Sequence, residues 1–198
     1  MIDLPTDVGP NSATPRLLDF GGFLQPGLGG EVQRLNRMGS RFAVAFTLPP
    51  LTNQKQGRIW VSRLIRGMTE GVRWTYPLLD FYPGAPGNFV VDGADQSGRT
   101  LQLRGGTPQY AFREGQPFNV VDANGQSYLH FIDELSAADA TGAAEIAFSP
   151  MLRAPIPDGA ALKISKPMIE GYVMGDQLSW QMAIDRTIGL SFEIQERR

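Results

Sequence analysis

Apolar and polar positions alternate most cleanly at the two ends of the chain. In residues 41–48, Phe42, Val44, Phe46 and Leu48 fall on one face at period two, and Pro49-Pro50 stops the run. Residues 72–78, Val-Arg-Trp-Thr-Tyr-Pro-Leu, read as a further strand. Past residue 167 come a strand at 168–173 and two long alternating runs. One places Leu178, Trp180, Met182 and Ile184 on a single face; the other does the same with Ile188, Leu190, Phe192 and Ile194. The only helical pattern runs from about residue 53 to 66. Trp60, Val61, Leu64, Ile65 and Met68 form its apolar stripe, Thr52 or Asn53 is placed to cap its start, and Gly67 is placed to end it.

Between these ends the strands are shorter. Residues 88–91 and 100–103 bracket a turn, and residues 118–122 and 127–132 flank an Asn124-Gly125 hairpin signal. Short runs at 144–148 and 161–165 follow, closed by Lys166-Pro167. The pattern predicts a mainly β protein: a β-sandwich with one α-helix, built from residues 16–87 plus 168–198. A small β-barrel, oligonucleotide-binding-like or SH3-like, is inserted at residues 88–167. One continuous sandwich is the alternative arrangement. Residues 1–15, with Pro5, Gly9, Pro10 and Pro15, read as an extended N-terminal arm, and Gly21 to Gly30 as a long glycine-rich loop of a length that is functional, disordered or ordered by a partner.

Composition adds turns and removes some chemistry. The 198 residues include 23 Gly and 15 Pro, a share that fits many short connections, and 11 Phe, 5 Tyr and 3 Trp supply the mass for a core. With no cysteine, disulfides and thiolate metal sites are excluded. The net charge of -2 does not favour nucleic acid as a partner. Charge is nonetheless uneven. Residues 51–75 carry Lys55, Arg58, Arg63, Arg66 and Arg73 against Glu70, whereas residues 110–160 carry seven carboxylates against Arg113 and Arg153. Such faces suit either ordinary solvation or a neighbouring copy. The first five residues, Met-Ile-Asp-Leu-Pro, lack the basic and apolar regions of a secretory signal, and no run approaches the ~20 apolar residues of a membrane span.

Each candidate for chemistry has a plainer explanation. His130 is the only histidine and reads as a structural residue of the hairpin's return strand. The stretch from Asp92 to Gly98 lacks calcium-loop spacing, because Ala94 and Gln96 stand where acidic ligands belong. Asp133 and Glu134 are adjacent, so on an extended chain they point apart rather than across a cleft. Trp60 reads as core. Phe81, Tyr82 and Tyr110, with Trp74, are the rings to weigh for sugar stacking. No nucleophile elbow, phosphate loop or zinc-protease motif occurs. The expectation is a non-enzyme with no catalytic, cofactor-binding or metal-binding residues.

The C-terminal half resembles tail-tip proteins of long-tailed, non-contractile bacteriophages. The resemblance rests on the strand entry Gly115-Gln116-Pro117-Phe118, the return Tyr128-Leu129, and the run from Ala144 through Pro150-Met151-Leu152-Arg153. The loop Pro157-Asp158-Gly159-Ala160, Lys166-Pro167 and the final strand from Leu190 to Glu196 complete it. Together with the length, the arm, the helix and the inserted barrel, these features are similar to a distal tail protein. The resemblance implies a structural virion protein that forms a homo-oligomeric ring, a hexamer in that group, joining the tail tube to the tail hub, tip or baseplate. It would be made in the host bacterial cytoplasm and end in the virion, with no nucleic-acid or membrane partner. The alternatives are a carbohydrate-binding tail-tip module and, behind it, a β-rich enzyme.

Overall fold

The computed structural model describes residues 1–197. The chain opens with β1 (Ile2–Asp3), β2 (Ser12–Leu18), a small hairpin of β3 (Gly22–Leu24) and β4 (Gln33–Leu35), then β5 (Arg41–Thr47) and β6 (Leu51–Thr52). Helix α1 (Arg58–Glu70) and β7 (Val72–Thr75) follow. Next come β8 (Gly87–Val91), β9 (Thr100–Gly106), β10 (Ala111–Phe112), β11 (Pro117–Val121), β12 (Ser127–Ile132), β13 (Ser136–Ala137), β14 (Ala144–Ser149) and β15 (Leu162–Lys163). The chain closes with β16 (Met168–Val173), β17 (Trp180–Met182) and β18 (Thr187–Glu196).

The expected fold class holds: a mainly β protein with one helix, made of a mixed sheet and a small, nearly closed antiparallel barrel of six strands. The sheet runs β1-β7-β16-β18-β5-β2, with β17 and β6 added along the first half of β18. Its strands come from both ends of the chain, and only the β1–β7 pair is parallel. Period-two alternation turns Phe42, Val44, Phe46, Phe192, Ile194, Val72, Trp74 and Ile169 to one face, where they form a single core with the helix residues Trp60 and Leu64. Four rings meet at its centre: Trp60 and Trp74 stand edge-to-face at 5.1 Å, Phe46 and Trp74 at 4.7 Å, and Phe192 touches all three.

The helix differs from its sequence expectation at both ends. No side chain caps its start; the chain enters through one π-helical turn, Asn53–Gly57. Gly57 lies against Ile188, where an added Cβ would meet Cδ1 at 2.9 Å. Gly67 is not the end. It is buried mid-helix because a Cβ there would meet Val72 Cγ1 at 2.3 Å, so this glycine sets how closely the helix approaches the sheet. Gly71, at φ 77°, supplies the C-terminal turn instead. Of the expected stripe, Ile65 is 49% exposed.

The N-terminal stretch is extended, but it lies on its own sheet. Ile2 and Leu4 are buried in the core, Trp74 Nε1 donates to the Pro5 carbonyl at 2.9 Å, and all of β2 pairs with β5.

The barrel runs β15-β11-β12-β14-β9-β8. It is drawn towards closure where Val91 N donates to the Ala160 carbonyl at 2.9 Å and Val90 bridges Ala161. Its own core holds Phe89, Phe112, Phe118, Ile146 and Phe148. At the Asn124-Gly125 hairpin, Asp122 Oδ1 accepts from the amides of Asn124 and Gln126, both at 2.8 Å, and Gly125 takes φ 76°. No helix among the described residues is long and apolar enough to cross a membrane.

Candidate functional site

The barrel and the sheet share a polar joint, and that joint shapes the surfaces around it. The alternation of β18 that buries Ile188, Leu190, Phe192 and Ile194 carries on to Glu196, so a carboxylate lands in an apolar position. Its Oε2 accepts from the Phe42 amide at 2.9 Å and its Oε1 from the Leu129 amide at 2.7 Å. The Arg153 guanidinium, also buried, pairs with the same carboxylate. Arg153 further donates to the carbonyls of Arg197, at 2.8 Å, and Ser40, at 3.2 Å, and lies over the Tyr128 ring. Burial pushes the Glu196 carboxyl up, against the downward pull of Arg153 and the two amides. One residue of the sheet thereby holds a strand of the sheet, a strand of the barrel and a barrel loop. A second link is neutral. Asn119, fully buried, donates to the Met168 carbonyl and accepts from its amide, which splices β11 onto β16.

His130 stands on the return strand of the hairpin, and the structure buries its side chain in the barrel. Its ring packs 4.9 Å from Phe148, and its Nδ1 donates to the Pro150 carbonyl at 2.8 Å. Nε2 is buried without a hydrogen-bond partner among the described residues. Burial lowers the imidazole to about 3, so the ring is neutral and its bond to Pro150 fixes the tautomer. The sign of the resulting pH dependence follows. The folded form resists protonation, so this contribution to stability is complete above about 6.5 and is lost progressively as the pH falls toward 3. Chemical denaturation at pH 7 and pH 4.5 is expected to show a larger loss of stability in the parent than in His130→Leu. Equal losses would mean that the buried ring is not the titrating group.

The other sequence candidates disperse. Asp133 accepts from Arg99 at 2.7 Å and from Ser149, and Glu134 joins it in no cleft. Asp92 and Asp158 share Arg104 across the barrel seam, and that guanidinium, with the Gly93 amide, holds the Asp158 carboxyl down to about 2. Among the described residues, no three His, Asp or Glu side chains gather as a metal would require. Of the rings considered for sugar stacking, Trp74 is in the core and Tyr110 is buried, its hydroxyl donating to the Pro83 carbonyl at 2.6 Å. Phe81 is partly covered by Arg113, leaving Tyr82, 79% exposed, as the one open ring of the set.

What the surface does offer is apolar and projecting. The β3–β4 hairpin leaves the sheet at the Leu18 and Arg41 ends of β2 and β5. Phe23, Leu24, Leu28, Val32 and Met38 are exposed along it and its flanks. Asp19 fastens its base, accepting from the Gly21 amide, Arg34 and Ser40, which together hold the carboxyl down to about 2. The β17–β18 hairpin projects from the opposite end, beyond Thr47. The predicted strand there is cut to three residues. Its alternation is real, since Trp180 and Met182 lie across from Leu190 and Ile188, yet Met182 is 67% exposed and Ile184 fully so. Sequence reasoning missed both this exposure and the Glu196–Arg153 joint. The parity of Glu196 with Ile194 was a readable signal for the joint; apolar alternation alone carries no sign of whether anything covers it. No protein-family model matches the chain, and no curated protein matches it.

Proposed function

We propose that this chain is a structural protein of a bacteriophage tail, the distal tail ring joining the tail tube to the hub, tip or baseplate, assembled from copies of itself. The observation that carries this reading is the placement of two exposed apolar hairpins at opposite ends of one sheet. A contact between unlike ends is heterologous, and heterologous contacts close into rings or extend into filaments. The barrel, jointed to the sheet through Glu196 and Asn119, is then carried rigidly by the ring. The resemblance of residues 108–196 to tail-tip proteins supplies the setting, and the architecture of sheet, helix and barrel supports it. Its partners are other copies of itself, the tail tube protein and the hub or baseplate; its place is the virion, after synthesis in the host cytoplasm. The direct test is the position of the protein in purified particles, with antibody labelling expected at the tail tip.

A further inference from the structure

A shallow apolar cleft lies between the edge strand and the barrel. Leu17, Phe42, Tyr76, Phe131 and Pro150 line it, and its volume is about 390 Å³. It belongs to the joint: Phe42 and Phe131 pack at 5.1 Å, and Tyr76 stands edge-on to Phe131. Beside it a second cleft, sharing Leu17 and Pro150, brings in Arg34, Arg37 and Arg99. Arg34 is paired with Asp19 and Arg99 with Asp133, whereas Arg37 has no carboxylate partner among the described residues.

At the far end of the sheet stands a side-chain set of matching chemistry. The tip of the β17–β18 hairpin presents Met182 and Ile184, followed by Asp185. The tip is held in shape. Ala183 N donates to the Thr187 carbonyl, Arg186 N to the Ala183 carbonyl, and Asn53 N to the Arg186 carbonyl, all between 3.0 and 3.1 Å. Asp185 turns Oδ1 to Thr187, which leaves Oδ2 without a described partner. The tip does not reach the cleft of its own chain. From Ile188 to Glu196, beside Phe42, β18 covers roughly 25 Å at about 3.3 Å per residue.

We infer that the β17–β18 hairpin tip of one copy seats in this cleft of the next copy, Met182 and Ile184 on Leu17, Tyr76 and Phe131, with Asp185 facing Arg37. Apolar knob meets apolar cleft, and Asp185 Oδ2 meets the Arg37 guanidinium, neither of which has a partner among the described residues. This deepens the ring reading and rests on it, since it names the two surfaces that repeat around the assembly.

The absence of native cysteine allows a clean test. Ile184→Cys and Leu17→Cys are introduced together, and the protein is oxidised and run under denaturing conditions. The expected result is a ladder of cross-linked chains longer than two, with each single variant giving no species beyond a dimer. Ile184→Asp, at a fully exposed position, is expected to keep the parent's circular dichroism while weakening self-association about tenfold or more in sedimentation. An oligomeric parent that gives no ladder and keeps its mass in Ile184→Asp would overturn the inference alone, leaving some other pair of surfaces to build the ring. A parent that stays monomeric at every concentration would overturn the inference outright, whereas the ring reading itself is decided on particles.

Discussion

Arg153→Met is expected to destabilise the protein by about 3–5 kcal/mol, since removing one partner strands a buried charge. Glu196 is fully buried, and in that variant it keeps only the amides of Phe42 and Leu129. The loss falls on both halves at once, because the arginine sits on a barrel loop and the glutamate on the last strand of the sheet. The matching control is Arg153→Met combined with Glu196→Gln. It removes the charge from both sides and keeps an acceptor for one of the two amides, so its cost is expected to be below that of the single change. Chemical denaturation followed by tryptophan fluorescence reads both. A single variant within about 1 kcal/mol of the parent would show that the pair does not hold the barrel to the sheet.

Trp60→Ala is expected to cost about 3–5 kcal/mol, the range for an aromatic side chain removed from a packed core. The ring has no exposed surface, and its loss removes a wall from both Trp74 and Phe192. Trp60→Phe separates packing from hydrogen bonding. Nε1 has no partner among the described residues, so this substitution gives up part of the ring and no hydrogen bond. Its cost is expected to be clearly smaller than that of alanine. Equal costs would point to a missing partner for the indole rather than to packing.

These sites also show which parts of the fold can be read from residues alone. Long alternating runs and one helical stripe are local signals, and they located the strands around 41–47, 72–75, 168–173 and 187–196 and the body of the helix, whose apolar faces are buried by partners of ordinary kind. Gly67 misled because two physical causes give the same letter: a glycine that ends a helix by adopting positive φ, and a glycine that lets a helix approach Val72 and Val173. The N-terminal stretch has the composition of an extended arm, and Ile2 and Leu4 find cover through a parallel pairing with β7 that no local pattern reveals. The opposite error concerns Met182 and Ile184. Alternation marks an amphipathic strand but not whether another layer lies above it. His130 was legible as structural from its neighbours, whereas the burial of Glu196 depended on Arg153 arriving from 43 residues away.

The unit proposed to repeat around the ring is a barrel fixed to a sheet through a buried ion pair, with apolar hairpins at opposite ends of that sheet. The claim that this unit is the ring of a phage tail is tested most directly by labelling particles produced from the same genome with an antibody to this chain and viewing them by negative-stain electron microscopy. The account predicts label at one place, the tail end distal to the capsid, and a disc there with several copies of the 21.7 kDa chain. Particles that carry no label, with the protein recovered only from the host cell lysate, would contradict it.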